Sequence, residues 1–223
     1  MKNFYILKGG VACKETKNVY PQVLKPLASK GTELYNKIIN LRNKPNPDAK
    51  GLVIELELDP KTKPTDFISQ SWIGSIGLLV SERAFEFLSG FNLQPEMEIY
   101  KTIIHHKGKT FDYQWLNPVY RYEYDINFDK TKFSIFDILD ETFTPIEISN
   151  IEDFKEKNLN QTSPLKKLHT SIVHLTTKQI DNLDLIQISA GDANIYISEN
   201  LKKQLTISNL TAFEVNNNGI VVK

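Results

Sequence analysis

Between Phe111 and Phe128 the chain alternates large apolar and polar residues in two consecutive runs. Phe111, Tyr113 and Trp115 alternate with Asp112 and Gln114. After a break at Asn117-Pro118, Tyr120, Tyr122, Tyr124, Ile126 and Phe128 alternate with Arg121, Glu123, Asp125, Asn127 and Asp129. Successive side chains of a strand point to opposite faces, so a period of two held this long calls for β-strand with one buried face. The pattern predicts an aromatic hairpin in which about half of the rings belong to the core.

Other segments carry strand and helix signals in mixed order. Phe4–Leu7, Leu52–Leu58 (apolar and acidic residues alternating toward its end), Gly77–Val80, Glu98–His106, Thr170–Leu175, Leu185–Ile188, Asn194–Ile197 and Ile220–Val222 read as strands. Helices are expected near 32–42, 82–90 and 199–205. Thr32 can cap the first, and Ser81 the second, with Glu82 at the positive end of its dipole. Val80–Leu93 aligns without gaps to Ile197–Leu210, matching Ser81 with Ser198, Glu82 with Glu199, Leu88 with Leu205, Asn92 with Asn209 and Leu93 with Leu210. The fold class is therefore α+β, mainly antiparallel sheet with a few short helices and a repeated strand–helix–strand unit.

The 223 residues suit a single domain, with one weak internal boundary in the polar run near 155–165. A hydrophobic fraction of 40% and a charged fraction of 24% are those of an ordinary globular chain. Lysine plus arginine and aspartate plus glutamate balance at 27 each, which removes the global basic field of a dedicated nucleic-acid binder. The one cysteine, Cys13, cannot form an internal bridge, and a reducing cytoplasm is the expected compartment. Four consecutive apolar residues near the N-terminus fall short of the roughly 7–15 of a signal peptide, and no window approaches the ~18 of a membrane span.

Motifs for chemistry are sparse. His105 and His106 are adjacent on a predicted strand, so they point to opposite faces and cannot share one metal ion. Gly108-Lys109-Thr110 imitates the end of a phosphate loop, but the motif's first glycine would fall at Ile103 and no helix follows, so a hairpin turn at Lys107-Gly108-Lys109 is the expectation. Gly74-Ser75-Ile76-Gly77 lacks the basic centre of an RNA clamp. No nucleophile elbow, zinc-protease motif or dinucleotide fingerprint occurs. The expectation is thus no catalytic residue, no metal and no cofactor. A carboxylate-based hydrolase, which needs no sequence motif, stays open as an alternative, as does a regulatory ligand-binding module.

Charge is unevenly spread. Residues 112–153 carry ten acids against Arg121, Lys130 and Lys132, whereas the first fifty carry ten bases against Glu15, Glu33 and Asp48. An acidic surface set with tyrosines and a tryptophan suits a basic protein partner, with charge for steering and aromatics for anchoring. The candidate contact residues are Asp112, Trp115, Tyr122, Glu123, Tyr124, Asp125 and Asp129.

The run Asp66-Phe67-Ile68, then Gly77 through Leu88, then Phe91-Asn92-Leu93, continuing through Tyr100, Lys109 and Tyr113, resembles an immunity-protein family of bacterial polymorphic toxin systems. It is the family numbered eleven, earlier a domain of unknown function. Ile197-Ser198-Glu199 to Leu210-Thr211 echoes the same pattern, and the resemblance covers roughly residues 66–215. It implies a cytoplasmic protein that neutralises a cognate toxin by direct binding, without catalytic residues, nucleic acid or membrane. A nuclease domain is one candidate toxin, because nuclease domains carry basic faces.

Overall fold

The computed structural model describes residues 2–40, 51–69, 77–119, 125–159, 165–170, 173–176, 180–188 and 194–222. In chain order the elements are β1 (Lys2–Gly9), β2 (Val23–Pro26), α1 (Glu33–Asn40), β3 (Val53–Leu58), β4 (Phe67–Ile68), β5 (Leu78–Ser81), α2 (Glu82–Ser89), β6 (Met97–His106) and β7 (Lys109–Pro118). There follow β8 (Phe133–Asp137), β9 (Thr142–Ile146), α3 (Ile151–Leu159), β10 (Lys166–Thr170), β11 (Val173–Leu175), β12 (Leu185–Gln187), β13 (Ile195–Ser198), α4 (Glu199–Ile207) and β14 (Phe213–Val222). The protein is α+β, and its sheets are mostly antiparallel.

Three sheets result: six strands ordered β2-β3-β6-β7-β5-β4, five ordered β11-β14-β1-β13-β12, and three ordered β10-β8-β9. The two larger sheets share one plan. Each has a short edge strand (β4, β12), the strand leading into a helix (β5, β13), a central strand (β7, β1), the strand after the helix (β6, β14) and a parallel neighbour (β3, β11). The plans differ in connection. A turn at Lys107-Gly108 joins β6 to β7, whereas β14 and β1 are opposite ends of the chain, with Lys2 beside Val222.

The two aligned segments have one local conformation at their helix starts. Ser81 and Ser198 are both extended (φ −63°, ψ 161° and φ −67°, ψ 163°), and their hydroxyls accept the N–H of Ala84 and of Leu201. This satisfies one of the orphan donors of each first turn. The helix ends differ, with Gly90 helical and Ser208 extended. Each serine also donates to a carboxylate, Ser81 to Asp66 at 2.8 Å and Ser198 to Asp184 at 2.5 Å. Those carboxylates hold the loop beyond the opposite helix: Asp66 accepts the N–H and hydroxyl of Thr211, and Asp184 accepts the Asn92 N–H.

Burial follows the strand period. Ile54, Leu56 and Leu58 of β3 pack with Tyr100, Ile104, Tyr113 and Trp115 beneath α1, which contributes Ile38. On the opposite side of this sheet Leu78, Val80 and Leu116 join Leu185, Ile195 and Ile197 of the five-stranded sheet, with Ala84, Leu88, Leu201 and Leu205 of α2 and α4. A third cluster joins Phe4, Ile186 and Tyr196 to Phe133, Phe154 and Leu168. Gly77, at φ +93°, is required where it stands, because a Cβ there would lie 2.1 Å from the Leu116 carbonyl oxygen.

The structure bears on three expectations, and it corrects the second of them. β7 pairs with β6, in ten register pairs from Met97 opposite Pro118 to His106 opposite Lys109, across the turn expected at Lys107-Gly108-Lys109, and with β5 on its other side. Residues 120–124 lie outside the described part, and 125–129 do not form a strand. Ile126 makes a single bridge to Leu175; Asn127 then accepts the Lys130 N–H through its side chain (3.1 Å) and the Thr131 N–H through its carbonyl (2.9 Å). That local bonding turns the backbone out of the ladder even though Ile126 stays buried. The polar run near 155–165 begins inside α3, whose Phe154 is buried against Phe133 and Phe128, and its residues 160–164 lie outside the described part.

Candidate binding face

The four described candidate contact residues, Asp112, Trp115, Asp125 and Asp129, do not form one surface. Trp115 is 1% exposed and stacks on Tyr100 (centroids 5.4 Å apart, planes at 30°), so it is a core residue that no partner can touch. It lies on the side of β7 that faces α1, as the period of two demands of a residue flanked by Gln114 and Leu116. Asp112 is exposed and pairs with Lys101 at 3.4 Å. It stands toward the Lys107-Gly108 end of β7, about 20 Å along the strand from Pro118. Asp125 is half-buried, and its carbonyl accepts the Thr176 N–H (2.8 Å) and hydroxyl (3.1 Å). Asp129 is exposed in the turn before β8. Tyr122, Glu123 and Tyr124 lie outside the described residues.

What the structure does assemble is the outer face of the three-stranded sheet. Phe133 and Ile135 of β8 and Leu168 of β10 point inward and join Phe128 and Phe154, an aromatic floor under the sheet. The alternate residues point outward: Ser134 and Phe136 on β8, Phe143 and Pro145 on β9, Lys167 and His169 on β10. Phe136 and Phe143 are register partners that stack at 4.7 Å, and His169 meets the Phe143 ring edge-on at 4.9 Å. Phe143 remains 55% exposed. A paired aromatic left in water on a rigid floor marks a contact surface more strongly than scattered exposed leucines would.

The turn from β8 to β9 completes this face. Asp137 accepts the Leu139 N–H at 3.0 Å, the Ile138 N–H reaches the Leu165 carbonyl at 2.8 Å, and Glu141 takes a left-handed φ of 52°. The fixed turn presents Leu139, 71% exposed, beside the exposed Asp140 and Glu141. Residues 133–149 contain four carboxylates, Asp137, Asp140, Glu141 and Glu147, and no lysine or arginine. Lys166 on β10 offsets Asp137 at 3.7 Å, which leaves the β9 side and the turn as the acidic part. Pro145, without an N–H, sits on the edge strand β9 and guards it against strand addition, so a partner is better received on the face than along the edge.

The histidines divide as their spacing requires. His105 is bonded to Glu55 at 2.7 Å on the exposed side of the sheet, while His106 is buried on the other side, where burial and the nearby Lys107 lower its pKa. Among the described residues no group of three or more His, Cys, Asp or Glu could hold a metal ion. A cleft of about 610 Å³ opens between the ends of β1, β5 and β13. Its lining includes Lys8, Tyr20, Ser69 and Asn194, with Glu214 as its one carboxylate among the described residues. A hydrolase of the two-carboxylate type needs a facing pair, of which the described residues of that lining supply one member. Among the described residues no helix is long and apolar enough to cross a membrane.

The sequence reading missed Phe136, Phe143 and His169. Their signal was present in Phe133-Ser134-Ile135-Phe136-Asp137 and Thr142-Phe143-Thr144-Pro145-Ile146, two short alternating runs around Asp140-Glu141. The turn lacks the Asn-Gly or Asp-Gly signature that would have announced a hairpin. No protein-family model matches the chain, and no curated protein matches it.

Proposed function

We propose that this protein is an immunity protein that neutralises a cognate bacterial toxin domain by direct, stoichiometric binding in the cytoplasm. The observation that carries the reading is the outer face of the three-stranded sheet: a stacked Phe136–Phe143 pair and an exposed leucine, edged by Asp140, Glu141 and Glu147. Aromatic anchors slow dissociation, and the acidic β9 side of the face, opposite Lys167 on β10, steers a positively charged partner. A toxin with a basic face, as a nuclease domain has, fits that chemistry. The resemblance read from the sequence over roughly residues 66–215 to immunity family eleven points the same way, although no family model matches the chain. Function here needs no catalytic step and no cofactor.

The proposal requires a toxin gene encoded beside this one, and the test is co-expression with it. The expected result is rescue of growth and a purified complex of one toxin to one immunity chain. Cells that die at wild-type expression levels, or toxin that elutes free of this chain, refute the proposal.

A further inference from the structure

We propose that this chain also associates with copies of itself, head to tail, by seating the β8–β9 turn of one copy in the β2–α1 corner of the next. This goes beyond toxin binding and does not depend on it. Two regions concentrate large apolar side chains in water. One is the turn just described, with Ile138, Leu139, Phe143 and nearby Leu165. The other is the stretch from Tyr20, 77% exposed, through Leu24 and Leu27 to Leu34.

The two regions are complementary in shape and in charge. The first is a knob: a hydrogen-bonded turn with Leu139 projecting between carboxylates. The second contains a hole, a pocket of about 320 Å³ lined by Pro26, Leu27, Ala28 and Tyr35 with Lys25 and Lys30 at its rim, which is room for an aliphatic side chain. Residues 133–149 hold four carboxylates and no base, whereas residues 17–37 hold Lys17, Lys25, Lys30 and Lys37 against Glu33 alone. Lys25 and Lys37 already touch Glu57 and Glu33, so Lys30 is the base assigned to Asp140 and Glu141 of the neighbour. The knob and the hole are different surfaces of one chain. The contact is therefore heterologous, and it propagates into a ring or an open chain instead of stopping at a two-fold dimer. It also covers the turn, so an assembled copy has part of its acidic face occupied.

Sedimentation of the full chain without any toxin tests this. Weight-average mass should rise with concentration in dilute buffer and return to that of the monomer at high salt, because exposed charges across the contact are screened. Leu139→Asp and Lys30→Glu alter exposed residues at opposite ends of the contact, and unchanged melting temperatures confirm their folds. Each alone should weaken self-association about thirtyfold, the loss expected of an interface anchor. Mixed together they should form a capped one-to-one pair, because the first variant keeps an intact hole and the second an intact knob. A chain that stays monomeric at every concentration and salt overturns the proposal and leaves both patches to other partners. So does a dimer that survives both substitutions, or a mixture that fails to pair.

Discussion

Five hydrogen bonds converge on the Asp66 carboxylate: one from Ser81, two from Arg83 and two from Thr211. Burial by itself raises such a carboxyl, but the bonds from Arg83, Ser81 and Thr211 outweigh it and hold Asp66 below its ordinary value of 3.8. A depressed carboxylate stabilises the fold fully above its unfolded pKa, and that contribution is lost as pH falls through the folded one. Asp66→Asn should therefore cost about 2–3 kcal/mol at neutral pH, less than a fully buried pair because Arg83 is largely solvated. Urea denaturation should show the gap to wild type closing as pH drops below 3.8; a gap that stays constant with pH contradicts this account. Trp115 makes a contrasting case. Trp115→Ala should lower stability by about 3–5 kcal/mol through the cavity left against Tyr100. Any accompanying loss of toxin neutralisation should disappear when folding is restored by lower temperature. Persistent loss in a folded variant would return Trp115 to the interface.

At the scale of elements, the β8–β9 hairpin separates two effects that one surface would otherwise blur. Asp140→Lys with Glu141→Lys changes exposed charge, and should mainly slow toxin association and flatten its salt dependence. Phe143→Ala removes an exposed ring from the stack on Phe136, and should speed dissociation at a cost of about 2 kcal/mol or more. Binding kinetics on variants of unchanged melting temperature decide between them, and equal effects on both rates would mean the hairpin is not the site. Elements were legible where two signals coincided. Ser81 and Ser198 join a cap to an apolar helical face, and β3 joins alternation to flanking breaks, so strand, cap and helix stand where the sequence places them. The 125–129 stretch alternates just as clearly but carries Asn127, whose side chain offers the backbone a nearer partner than a neighbouring strand does. Periodicity assigns a face without assigning a partner. Hence Trp115 could be read as strand but not as core, and the acidic residues of 112–153 could be counted but not divided between two sheets.

For the molecule as a whole, the common plan of the two larger sheets makes one strand's origin conspicuous. In the six-stranded sheet the central strand β7 follows β6 through the Lys107-Gly108 turn. In the five-stranded sheet the same central place beside β14 is filled by β1, from the other end of the chain. The register runs Lys2 to Val222 and Gly9 to Phe213, so β14 and β1 lie as the two arms of a hairpin whose turn is missing. Covalent order should then matter less than strand order, because the contacts that pay for folding are the ladder and the clusters beneath it. Gly108, exposed and with open space on its Cβ side, is a place to open the chain. A permuted chain that begins at Gly108, runs to Val222, crosses a short glycine-rich linker to Lys2 and ends at Lys107 should fold to the same sheets. Its stability should fall by no more than about 1–2 kcal/mol, the balance between a new loop closure and the lost one being small. Circular dichroism and cooperative denaturation of that permutant are the measurement. Loss of the folded transition would mean that the β6–β7 turn is needed to set the register of the six-stranded sheet, and that the two sheets, alike in plan, are not alike in how they form.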